Sequence, residues 1–195
     1  MQDCLTPPLS LRERLRRDLQ DEHEALDRKI STLDLTQIHG YRAFLAIHYI
    51  ALRGLQTDAP QAMLGDMIDA LGTDLDAMGA PTLPTLAPLS VHTVALDYML
   101  IGSRLGTQVL RKRWLAATDP RVTANGCYFA LPAQGRAWGA LTKALGAMNG
   151  SDERAAQIVA DARALFLRFS TSYDRVQTSL SLPAEQISNG PYASA

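Results

Sequence analysis

The stretch YMLIGSRLGT, residues 98–107, decides how this chain reads. It lies inside a long apolar segment from about Ser90 to Trp114, and Gly102 and Gly106 fall four positions apart with Ser103 and Thr107 beside them. Wound as a helix, the segment therefore has one face nearly bare of side chains. Glycine in a helix interior costs about 1 kcal/mol relative to alanine. Two glycines at helical spacing point to close helix–helix approach or to close approach of backbone to a flat ligand, and they invite a bend over that ligand.

The flanking sequence has the same period. After Thr6-Pro7-Pro8, Ser10 is an N-cap with Glu13 completing a capping-box pattern. Leu11, Leu15, Leu19, Leu26 and Ile30 then step along one face. Asp34 or Thr36 opens a second helix carrying Ile38, Tyr41, Leu45, His48, Leu52 and Leu55, and a third runs from about Pro60 to Met78. APTLPTLAPL (80–89) reads as an ordered connector. A loop is expected over Ala117–Pro132, then a helix over Ala133–Met148 ending at Asn149-Gly150 as its C-cap. Ser151, Asp152 and Glu153 open the last helix, and periodicity fades after Leu182-Pro183. No strand and no internal repeat is legible. The expectation is an all-α single domain over 1–195, with an ordered core of about 10–180 and frayed tails.

Composition narrows the function classes. The 195 residues are 47% hydrophobic and 20% charged, with a net charge of −1, which lacks the basic excess of a nucleic-acid binder. No stretch approaches the roughly 18 apolar residues of a membrane span, and no signal-peptide core is visible. Cys4 and Cys127 have no CxxC partner and read as incidental thiols of a reduced, cytoplasmic protein. P-loop, GxGxxG, GxSxG, HExxH and paired ExxH patterns are all missing. Thiol chemistry of the thiaminase kind has no readable cysteine constellation.

What remains is one histidine and one glycine-broken helix. His23 follows Leu19 by four residues and precedes Leu26 by three, which places its imidazole towards the core. A satisfied core histidine and a metal ligand are both open readings. Arg16 lies two turns earlier on nearly the same face, roughly 10 Å away at the helical rise. A ligand whose metal sat on His23 would reach Arg16 with an anionic arm; otherwise Arg16 is a solvated charge among Arg12, Arg14 and Arg17.

Together these segments resemble the haem oxygenase family in its bacterial, biliverdin-producing branch, from about Leu11 to Tyr173. LRRDLQDEHEALD (15–27) resembles the proximal helix, and YMLIGSRLGTQVL (98–110) the distal helix with its G-[DS]-x-x-G pattern. GRAWGALTKAL (135–145) and ALFLRFSTSYD (164–174) resemble later helices of that family.

The resemblance implies a helical bundle with haem between the first helix and a kinked distal helix. It makes His23 the axial iron ligand and Gly102, Ser103, Arg104 and Gly106 the catalytic distal wall. Arg16, Tyr98, Thr107 and Lys143 would contact the haem, and Thr107 stands where relatives often carry glycine or alanine. Haem would be both cofactor and substrate, cleaved at a meso carbon with O2 and external electrons to biliverdin, carbon monoxide and ferrous iron. The implied partners are a ferredoxin or flavin reductase and a biliverdin acceptor such as a bacteriophytochrome. Two other functions fit the same residues: a non-catalytic haem carrier or sensor, and a ligand-free helical interaction module.

Overall fold

The computed structural model describes residues 9–80 and 83–181. Cys4 and the segment beyond Leu182-Pro183 lie outside the described residues. The chain winds as α1 (Leu11–Asp18), α2 (Gln20–Ser31), α3 (Ile38–Leu52), β1 (Leu55–Gln56), α4 (Ala62–Ala77), β2 (Leu89–Ser90), α5 (Thr93–Trp114), α6 (Pro120–Thr123), α7 (Cys127–Ala130), α8 (Gly135–Ala147) and α9 (Glu153–Ser181). The architecture is all-α.

Several helix ends follow from local chemistry. Ser10 accepts from the Glu13 amide while the Glu13 carboxylate accepts from Ser10, so the capping box forms as expected. Asp152 caps α9 by accepting from the Ala155 amide at 2.7 Å. The expected single first helix is two helices with a break at Leu19, where the Asp18 carbonyl accepts from Arg163 at 2.6 Å. The second expected helix starts later, at Ile38, because Asp34 turns back on the amide and hydroxyl of Thr36. It also stops at Leu52, since Gly54 takes φ 77° and swings the chain out into β1.

Two further differences concern short structures. The 117–132 loop contains α6 and α7, and β1 pairs in parallel with β2 through Leu55–Leu89 and Gln56–Ser90. Two-residue strands leave no alternation to read. Gly150 is also not a left-handed cap: Met148 ends α8 in extended conformation, and a Cβ at Gly150 would lie 2.5 Å from the Ser10 carbonyl oxygen. Close passage of two chain segments, not backbone handedness, requires that glycine.

Helix α9 is the spine, with α1, α2, α3 and α5 all packed on it. Along α2 the partners Glu22–Arg163, Lys29–Ser170 and Thr32–Tyr173 are each 141 positions apart, so the two helices run parallel in register. Arg168 is buried and gives its guanidinium to the carbonyls of Ala51, Arg53 and Ala87, fastening the end of α3 and the connector to the spine. The densest part of the core is aromatic. Tyr41, Phe44 and Phe129 stack, and Trp114 and Tyr128 close the cluster.

Candidate functional site

Helices α2 and α5 each pack chiefly on α9. Each is thereby left with an unfilled face. On α2 that face carries His23, whose side chain is 62% exposed. This corrects the expected placement of the imidazole towards the core: the break at Leu19 resets the apolar stripe, and α9 takes the Glu22 and Lys29 side of α2 instead. The ring rests edge-on against Phe166 of α9, with centroids 5.8 Å apart.

One turn on, the Asp27 carboxylate lies 3.2 Å from His23 Nδ1. A carboxylate there holds the Nδ1–H tautomer and leaves the Nε2 lone pair free to ligate. The other histidines are placed differently. His48 is buried among Phe44, Tyr128 and Phe169 with Nδ1 2.8 Å from the Phe44 carbonyl, and burial pulls its pKa down to about 4. His92 caps α5, accepting from the Val94 amide, and His39 is exposed at the start of α3. Among the described residues no group of three His, Cys, Asp or Glu gathers to hold a metal. Any metal on His23 would need other ligands of its own, as haem iron has.

The open face of α5 carries Gly102, Gly106 and Val109. Gly106 is exposed, and a Cβ there would meet nothing within 4 Å. At Gly102 a Cβ would come 3.3 Å from the Trp138 ring of α8, so this glycine seats the tryptophan. Val109 is 64% exposed, continuing an apolar strip one turn along. The Trp138 ring also leans on Tyr98, centroids 5.5 Å apart. Burial pushes the Tyr98 phenol up in pKa while the Arg16 guanidinium, near enough to be felt, partly offsets that. Arg16 of α1 is thus within electrostatic reach of Tyr98 of α5. At the other end of α5 Arg113 donates to the Leu33 carbonyl at 2.7 Å, tying α5 to the chain just past α2.

Three expected site residues stand elsewhere. Arg104 is fully buried, and its Nη atoms donate to the carbonyls of Tyr128 and Leu131 at 3.3 and 2.7 Å. Two residues from Gly102 is about 200° round the helix, so Arg104 points away from the bare face. Thr107 is likewise buried, donating to the Ser103 carbonyl at 2.8 Å, and it does not narrow the open face. Lys143 is exposed about 140° round α8 from Trp138 and makes no ion pair among the described residues. Ser103 is half-buried with its hydroxyl turned back to the Leu100 carbonyl.

Trp138 against Gly102, Phe166 beneath His23 and Asp27 beside it are the site features that residue spacing did not single out. Only Asp27, at i+4 from the histidine, left a readable signal. Two shallow clefts lie elsewhere, one between β2 and α9 lined by Asp58, His92 and Asp161, the other beside Arg175.

No family model matches the sequence, and no curated protein matches it. In three dimensions the chain is similar to a haem oxygenase from Neisseria meningitidis, solved with nitric oxide and carbon monoxide bound. The TM-score is 0.66 at 20% identity, covering 91% of this chain and 95% of that one. At that identity the likeness establishes the haem-oxygenase-like fold. No helix among the described residues is long and apolar enough to cross a membrane.

Proposed function

We propose that this chain binds haem between the open faces of α2 and α5 and cleaves it at a meso carbon to biliverdin, carbon monoxide and ferrous iron. The observation that carries this reading is an exposed, carboxylate-held histidine on α2 together with an open glycine on α5, Gly106, where a Cβ would meet nothing within 4 Å. Both helices rest on a third and each keeps exposed positions, and it is between them that a flat apolar ligand would lie. Placing His23 on one and backbone on the other suits an iron macrocycle better than it suits a peptide or a sugar.

The residues fit haem chemically. His23 would present Nε2 to the iron, with Asp27 fixing the tautomer and orientation. The exposed backbone at Gly106 leaves space that any larger side chain would take, and exposed Val109 offers apolar contact. Arg16, with Tyr98 beside it, would neutralise the propionates. When bound, haem supplies the iron centre at which O2 is reduced and the meso carbon that is oxidised. The protein's part is to hold the macrocycle, limit water at its edge and deliver protons through Ser103. Electrons would come from an external donor such as a ferredoxin or flavin reductase, in the cytoplasm, and a bacteriophytochrome is one acceptor for the biliverdin.

One observation favours a second reading, a haem carrier or sensor without turnover. With Arg104 and Thr107 on the far side of α5, Ser103 is the one polar side chain the motif leaves beside the glycines, and its hydroxyl is already engaged. Hemin titration followed by ascorbate under air separates these readings. A one-to-one Soret band that decays into a broad red absorption is expected for the oxygenase. A stable band would assign the carrier, and no saturable binding would overturn both.

A further inference from the structure

Arg104 is 1% exposed and has no carboxylate partner among the described residues. A buried cation costs several kcal/mol unless hydrogen bonds compensate it, so its placement needs a reason. The guanidinium lies 5.0 Å from the centre of the Tyr128 ring and donates to the carbonyls of Tyr128, inside α7, and of Leu131, the residue after it. The start of α7 is held from the other direction. Asp74 of α4, also 1% exposed, accepts from the amides of Cys127 and Tyr128, both at 2.9 Å. A single helical turn is thus gripped at its amide end by a buried anion and at its carbonyl end by a buried cation, each sign matched to the groups it meets.

The chain of contacts ends on α5. That helix is weakened around Arg104. Gly102 and Gly106 flank it, and Ser103 and Thr107 both turn their hydroxyls back on the helix's own carbonyls, a habit that bends helices. On its open face nothing packs at Gly106 to set its height. Among the described residues, Arg104 Nε and the Tyr128 hydroxyl have no aligned hydrogen-bond partner.

We propose that Arg104 is a positioning residue, and that the Asp74–α7–Arg104 clamp sets where the glycine face of α5 stands relative to a bound ligand. Resting on the haem reading for its ligand, the proposal assigns that reading a device outside the open faces themselves. The clamp acts through α7 and touches no ligand. Its loss frees the weakened stretch 100–107 and changes the space above the ligand without changing the groups that hold the ligand.

The test has an arm without haem. In the ligand-free protein, amide exchange over residues 100–107 is expected to rise about tenfold in Arg104→Met while α9 is unchanged, with Arg104→Lys restoring part of the protection. In hemin-loaded protein, imidazole probes the distal side. Its affinity is expected to rise about fivefold in Arg104→Met while hemin affinity stays within about twofold of wild type. If Arg104→Met does not fold, Asp74→Asn is measured in the same two ways. A folded variant with wild-type exchange at 100–107 and wild-type imidazole affinity overturns the clamp. Failure of the wild type to bind hemin overturns the proposed function instead, and the exchange arm still decides whether the clamp holds α5.

Discussion

His23 and His48 stand in opposite surroundings on the same scaffold. His48 is sealed among Phe44, Tyr128 and Phe169, its Nδ1 against its own helix's Phe44 carbonyl. His23 is open, touches one ring and has a carboxylate at 3.2 Å. Both occupy apolar stripes in the sequence. The difference is what packs opposite: α3 meets both α4 and α9, whereas α2 has α9 as its principal neighbour and turns another side outward. A histidine surrounded by rings contributes to the core, and one left free with an oriented lone pair is available for chemistry.

That contrast can be broken at either histidine. The largest effect is expected at His48. Its folded pKa, about 4, lies below the ordinary imidazole value of 6.5, so the unfolded chain takes up a proton first as pH falls. The stability this gives is whole above about pH 6.5 and is lost down to about pH 4, by up to about 3 kcal/mol. Denaturant unfolding from pH 7 to 4 should show this slope, and His48→Phe should flatten it. An identical slope in the variant would mean His48 is not the group responsible.

A smaller effect is expected at the open histidine, and it is of a different kind. His23→Ala should leave unfolding stability within about 0.5 kcal/mol, as for an exposed position. Hemin affinity should drop about a hundredfold, with a changed Soret band, as an axial ligand is lost. Unchanged hemin affinity would return His23 to the solvated surface. The smallest effect is expected at Gly106→Leu. Helix propensity should raise ligand-free stability by about 0.5–1 kcal/mol, since the new side chain enters open space. Hemin affinity should nonetheless fall about tenfold, because the space above the ligand is occupied. Loss of stability in that variant would show that the glycine face packs after all.

Legibility followed the range of the interaction. The Ser10–Glu13 capping box and the Gly102–Gly106 spacing are set within about one helical turn, and both were readable from the sequence, though that Gly102 seats Trp138 while Gly106 stays open was not. The break at Leu19 was not, because the Asp18 carbonyl is claimed by Arg163, far along the chain. Arg104 misled for the same reason. Its neighbours in sequence are the glycines, so it read as part of the distal wall; its partners in space are Tyr128 and Leu131. Where a charged side chain is buried depends on which carbonyls are brought to it, and a helical wheel carries no such information.

The sequence by itself determined that this chain is helical throughout its core, that one long helix carries a run of small residues, and that His23 lies on an early helix; the fixed spacing from Arg16 that one continuous helix would impose is lost at the Leu19 break. Those properties are written in short-range spacing, where a few residues and the helical period suffice. Only the tertiary structure decided which faces stay open. It seats α2 and α5 on α9, leaves His23 and Gly106 unpacked, and turns Arg104 into the α7 clamp. Openness is a relation between helices: a face is a site only if no other element buries it, and that outcome depends on how the whole chain packs.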